Sequence, residues 1–225
     1  IWRITPRIIR IMTSRKNSNL LPVKKYGWDF GKNNVKRVFI IHGWEGFPEE
    51  GWFPWLKKEL EAKGFEAQVP QMPNTNEPKI EIWVPFLAKL IGVPDEETFL
   101  VGHSIGCQTI LRFLDTLKGS KKIGGMILVA GWIHKLESMY SEEEIAIAKP
   151  WLETPIDFNN VKSHTKNTVA VFSDDDEFVS LDNVELFQEK LGAKTFIEHA
   201  KGHFSQETGI KELPVVLEEL LKMAN

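Results

Sequence analysis

The sequence predicts an α/β fold built on one mostly parallel sheet of about six strands, with helices on both faces. Short apolar runs rich in β-branched residues alternate along the chain with segments whose apolar residues recur at helical spacing. A chain of 225 residues, 42% hydrophobic and 26% charged, can bury the core that such a sheet requires. No self-similar period runs along it, which excludes repeat architectures.

Taken in order, "RVFIIH" (37–42) reads as a buried strand closed by Gly43. "EEGWFPWLKKELEAKG" carries apolar residues at helical spacing and stops at Gly64. "FEAQV" is a strand and "PQMPNTNEP" a Pro/Asn loop. "KIEIWVPFLAKLI" is a helix that Pro85 is expected to interrupt. "TFLVGH" and "GGMILVAGW" are strands on either side of the helix "SIGCQTILRFLDTL". "NTVAVFS" and "KTFIEHA" are strands separated by the helix "SLDNVELFQEKLG", and "KELPVVLEELLKM" is a closing helix. Only 134–164 breaks the rhythm; it reads as a small cap or an excursion, with Glu142, Glu143 and Glu144 on a solvated helix face.

Charge and cysteine content narrow the function. The first 28 residues hold seven basic residues and no acid, so the remainder carries about −10 within a total of −3. A body this acidic argues against nucleic-acid binding. The longest apolar run, "MILVAGWI", is far shorter than the roughly 18 residues that span a bilayer. The single Cys107 forms no internal disulfide, and the expected location is cytoplasmic. Residues 1–35 are expected to form a basic arm, with Met12 a candidate initiator, and residues 36–225 the folded domain. Pro6 and the arginines interrupting every apolar stretch weigh against a secretory leader or a membrane-surface helix in the arm.

The chemistry centres on "VGHSIG", which is G-x-S-x-G as Gly102, His103, Ser104, Ile105 and Gly106. It lies between a strand and a helix, where a sharp turn exposes a serine hydroxyl at a helix N-terminus. Serine needs a base to take its proton. Of six histidines, His42 and His103 belong to turns and His134 and His164 to the irregular segment, leaving His199 and His203. His203 lies in "KGHF", a glycine-hinged loop suited to reaching back over the sheet. A metal pair of His199 and His203 would need a helix that Gly202 and the preceding strand disfavour, so no metal and no cofactor is expected. The oxyanion hole needs backbone N–H groups, one from Ile105 and one from Trp44 in the "HGWEG" loop. Trp44 and Trp132 follow strand ends and are candidates for the wall of an apolar acyl pocket.

Together "IIHGWEG", "GWFPWLKKELEAKGFEAQVPQMPN", "IWVPFL", "LVGHSIG", "FSDDDEFV" and "KGHF" resemble the α/β-hydrolases of the group that includes retinoblastoma-binding protein 9 and the YdeN-like serine hydrolases. The resemblance covers about residues 36–222 and implies an α/β-hydrolase fold with a minimal cap or none. It also implies the acid: an Asp followed by two residues and then an aliphatic, which in "SDDDEFVS" is Asp176 with Val179, with Asp175 and then Asp174 as alternatives. Ser180 stands where the group commonly has proline, and the L-x-C-x-E segment behind the retinoblastoma-binding name is absent.

The expected activity is a serine hydrolase acting on small carboxylic esters, with Ser104 as nucleophile, His203 as base and Asp176 orienting it. An amidase or aminopeptidase-like activity uses the same groups. A non-catalytic binding module on this scaffold is the alternative of a different class. Serine at 104 excludes a dehalogenase, which needs a carboxylate there. The absence of H-E-x-x-H, P-loop and G-x-G-x-x-G patterns removes the usual metalloprotease, NTPase and dinucleotide readings.

Overall fold

Strand side chains alternate between two faces, and here both faces are apolar, so the sheet must be covered twice. The computed structural model describes residues 35–139 and 141–225; the basic arm and Met12 lie outside the described residues. From residue 35 onward the chain falls within one unit, Asn34–Asn225. Six strands, β1 (Arg37–Ile41), β2 (Glu66–Gln68), β3 (Thr98–His103), β4 (Gly125–Val129), β5 (Thr168–Ser173) and β6 (Lys194–Glu198), form one sheet. Their order is β2-β1-β3-β4-β5-β6 and every neighbouring pair is parallel.

The register aligns the alternation across the sheet. Ile40 stands opposite Val101, Val101 opposite Ile127, and Ile127 opposite Val169. This row faces helices α1 (Phe53–Ala62) and α7 (Pro214–Met223), packing with Trp52, Phe53, Leu56, Val216 and Leu220. One residue on, Ile41, Leu128 and Ala170 point the other way. That face is covered by α2 (Ile80–Ile91), α3 (Ile105–Thr116), α5 (Phe158–His164) and α6 (Asp182–Leu191), through side chains such as Leu87, Ile110, Val161 and Phe187. A one-residue slip of any central strand would exchange these two sets, so the packing pins the register.

Pro85 does not interrupt its helix: α2 runs from Ile80 to Ile91 with Pro85 inside it. A proline there removes one intrahelical hydrogen bond, at a cost of about 3 kcal/mol. Burial of Trp83, Val84, Leu87 and Ile91 along the same helix offsets it. The segment 134–164 resolves into α4 (Glu142–Glu153) and α5. Ser141 caps α4 with a reciprocal bond to Glu144, and Glu142 and Glu143 are exposed in the first turn. α4 is tied down by Trp151, which is buried, meets Trp83 edge-on at 6.2 Å and donates its indole N–H to Pro78 O at 2.9 Å. Among the described residues no helix is long and apolar enough to cross a membrane.

Candidate active site

The carboxyl ends of parallel strands leave a crevice in which ligands bind. Ser104 sits at the end of β3, between that strand and α3, with φ 53° and ψ −122°. Few non-glycine residues adopt such a conformation, and it costs about 1–3 kcal/mol. Two glycines permit it. A Cβ on Gly102 would lie 2.8 Å from Cys107 N, and one on Gly106 would lie 2.4 Å from Ile41 O. Both partners are backbone and cannot move aside, so the start of α3 can press against β1 only with glycine at these positions. Ser104 N donates to Val129 O at 2.9 Å, fixing the turn to the neighbouring strand.

The loop after β1 lies against this turn. A Cβ on Gly43 would stand 3.4 Å from Ser104 Cβ and 3.1 Å from His103 Nδ1. Among the described residues no hydrogen bond engages the Trp44 backbone N–H, and Ile105, first in its helix, has no intrahelical acceptor. His42 holds the loop from beneath. It is fully buried, donates Nδ1–H to Gly43 O at 2.9 Å and accepts the Met72 N–H at Nε2, 3.0 Å away. Burial lowers its pKa, keeping the ring neutral in that tautomer. Trp44 is half-buried and its indole N–H reaches Asn76 O at 3.1 Å.

His203 Nδ1 lies 2.9 Å from Asp176 Oδ2 and 3.0 Å from Oδ1. The Asp176 side chain is 1% exposed and that of His203 15%. Oδ1 of Asp176 also accepts the N–H groups of Phe178 at 2.9 Å and Val179 at 3.1 Å, so the carboxylate is held from its own turn as well. A neutral His203 donating Nδ1–H to this carboxylate presents an Nε2 lone pair, as a base for a hydroxyl must. The ring is flanked by Phe178 at 5.1 Å and His103 at 5.0 Å. His103 Nε2 also bonds the His203 carbonyl at 2.7 Å, joining the His203 loop to the residue before Ser104. Burial is the main reason the His103 pKa falls to about 3, with His203 adding to the effect. Among the described residues no hydrogen bond joins Ser104 to His203; such bonds are commonly long until substrate arrives.

The other acids of the run have separate partners. Asp174 is exposed; it accepts the Ala200 N–H at 2.9 Å and meets His199 Nδ1 at 2.6 Å. Asp175 accepts the Ser173 hydroxyl at 2.6 Å and the Gly202 N–H at 2.7 Å. Ser173 Oγ in turn accepts the Lys201 N–H at 3.0 Å. These bonds lower the pKa of both acids: the Ala200 N–H leads for Asp174 and the Ser173 hydroxyl for Asp175. They anchor 199–202, where Ala200 and Gly202 have positive φ, as does Phe204 just beyond. None of these anchoring contacts, nor the Phe178 and His103 contacts, was read from the sequence; the neighbouring acids were the only visible signal.

Trp132 departs from the sequence expectation. The chain turns at Ala130 (φ 48°), and the Trp132 ring enters the core at 1% exposure, so it forms no open pocket wall. An open cavity of about 290 Å³ lies instead between α4 and the start of α2, lined by Pro78, Ile80, Ala146, Ile147, Pro150 and Trp151 among others. It adjoins the loop whose Thr75 and Asn76 carbonyls bind Glu45 N and the Trp44 indole.

The profile of the family described as Serine hydrolase matches residues 38–222. YdeN of Bacillus subtilis (strain 168) is 34% identical over 186 residues, covering 83% of this chain and 95% of its own. The crystal structure of the ydeN gene product superposes with a TM-score of 0.77 at 32% identity, over 84% of this chain and 98% of that one. The serine hydrolase RBBP9 of Rattus norvegicus is 27% identical, over 77% of this chain and 88% of its own.

Proposed function

The chain belongs to the serine hydrolase family, with an α/β-hydrolase fold, and on that premise we propose that it cleaves small carboxylic esters through an acyl-enzyme on Ser104. The observation that carries the proposal is the pairing of His203 Nδ1 with the buried Asp176 carboxylate beside a serine held on a strained strand-to-helix turn.

In the first half-reaction His203 Nε2 takes the Ser104 proton as Oγ attacks the ester carbonyl. Negative charge gathers on the carbonyl oxygen, toward the N–H groups of Trp44 and Ile105. Fixed donors of this kind contribute because they need no reorganisation as charge develops; losing one costs about 10²–10³ in rate. The imidazolium rests against Asp176 and returns its proton to the departing alcohol. In the second half water attacks the acyl-enzyme, His203 accepts its proton, and the acid leaves as Ser104 is reprotonated. The steps as written use only these side chains and water. Esters are favoured over amides because an alcohol leaves with less protonation than an amine. Trp44 is the candidate wall for the bound acyl group.

The test is turnover of p-nitrophenyl esters of graded acyl length beside matched p-nitroanilides. The proposal expects ester cleavage with a burst of about one p-nitrophenol per protein when deacylation is slow. Faster turnover of the anilides would move the assignment to an amidase. No turnover of either would favour a binding role.

A further inference from the structure

Three parts of the proposed machinery meet at one residue that the reaction as written does not use. His103 directly precedes Ser104, and its Nε2 lies 2.7 Å from the carbonyl oxygen of His203. A carbonyl oxygen only accepts, so Nε2 carries the hydrogen and Nδ1 keeps its lone pair. The ring stands 5.0 Å from the His203 ring. Its Nδ1 lies against the oxyanion loop, since a Cβ on Gly43 would stand 3.1 Å from it. His103 is 3% exposed and packs beside Phe53 at 6.0 Å and Trp52 at 6.3 Å.

Packing alone does not call for an imidazole at this place. Nδ1 is shut off from solvent and has no hydrogen-bond partner among the described residues, and a buried polar atom in that state is costly. A phenylalanine would fill the slot beside Trp52 and Phe53 without that cost. What the imidazole adds is the Nε2–H on the His203 carbonyl. His203 sits in a loop between Gly202 (φ 51°) and Phe204 (φ 54°). Asp176 holds its ring from the acid turn at 2.9 Å, while the His103 bond ties its backbone to the nucleophile turn. Burial is the main reason the His103 pKa falls to about 3. The ring therefore stays neutral, and no charge on it opposes the imidazolium that forms beside it.

We infer that His103 is a positioning residue for His203: its Nε2–H holds the backbone of the base against the nucleophile turn and so sets the reach of His203 Nε2 toward Ser104. The inference rests on the reading of Ser104 and His203 as nucleophile and base. A misplacement of about 1 Å costs about 10²-fold in rate. The loss falls on kcat, because the bond lies within the protein and binds no substrate.

The experiment is steady-state hydrolysis of a p-nitrophenyl ester by the wild type, His103→Phe and His103→Gln, with folding checked by denaturant unfolding. Glutamine places its Nε2 as many bonds from Cβ as the imidazole does, so it can donate to the same carbonyl. Phenylalanine keeps the aromatic packing and cannot. The expected result is a kcat lower by about tenfold to a hundredfold in His103→Phe with KM within about twofold, and a kcat restored to within about threefold of wild type in His103→Gln. A folded His103→Phe whose kcat stays within about threefold of wild type overturns the inference. So does a glutamine variant as slow as the phenylalanine variant, or a loss carried by KM with kcat unchanged. Where His103→Phe does not fold, His103→Asn, whose amide stops one bond short, is read on the same terms. A folded wild type that neither turns over the ester nor takes a fluorophosphonate label counts against the nucleophile and base assignments themselves, and this inference falls with them.

Discussion

Asp176→Asn is the change in which the geometry speaks most directly to mechanism. In the wild type Oδ1 accepts two backbone N–H groups while both oxygens face His203 Nδ1. An asparagine has one accepting oxygen and one donating NH₂. If the oxygen keeps the Phe178 and Val179 N–H groups, the NH₂ faces His203 Nδ1 at about the 2.9 Å now spanned to Oδ2. The ring must then accept at Nδ1 and carry its proton on Nε2, where it cannot receive one from Ser104. The opposite amide orientation points NH₂ at two backbone donors, leaving buried groups unpaired at about 1–3 kcal/mol each. The non-productive tautomer therefore prevails. A wrong tautomer in a triad costs about 10⁴ in kcat, or roughly 5.4 kcal/mol of barrier. Thermal stability should change little, because the turn keeps its backbone bonds. The assay is steady-state hydrolysis of a p-nitrophenyl ester by Asp176→Asn beside Asp175→Asn and Asp174→Asn. A kcat for Asp176→Asn within tenfold of wild type would refute the reasoning. So would a larger loss at Asp175, which bonds the loop at Gly202 rather than the base.

Gly106→Ala should lower the melting temperature sharply or prevent folding, since its Cβ would meet backbone oxygen at 2.4 Å; overpacking of this kind costs about 1–3 kcal/mol or more. Trp132→Ala should destabilise by about 3–5 kcal/mol in denaturant unfolding while leaving the order of acyl-length preference unchanged; a reordered preference would return Trp132 to the pocket. His103 ionises at about 3 when folded against 6.5 for the ordinary group. Between those values the unfolded chain binds a proton that the folded protein excludes, so stability falls as pH falls, by up to about 1.4 kcal/mol per unit from this group. His103→Gln should flatten that slope in denaturant unfolding from pH 6.5 downward, and an unchanged slope would contradict the assignment.

The nucleophile turn was legible because its strain leaves a local mark: glycines two before and two after the serine, both of which prove to lie against backbone. Strand order of burial was legible for a similar reason, since continuous apolar runs such as "MILV" suit only a sheet covered on both faces. The choice among Asp174, Asp175 and Asp176 was not local. It turns on which carboxylate faces a histidine 27 residues later, and all three lie within one turn. Trp132 misled because its place after a strand suggested a pocket, while the bend at Ala130 sends its ring into the core. Pro85 misled because helix propensity yields to tertiary burial.

The central claim is that Ser104 is an activated nucleophile. Intact-mass and peptide-mapping spectrometry after fluorophosphonate treatment tests it most directly. The account predicts a single adduct on Ser104 that is absent from a folded Ser104→Ala variant. A folded wild type without the adduct, or an adduct that persists in Ser104→Ala, would contradict it.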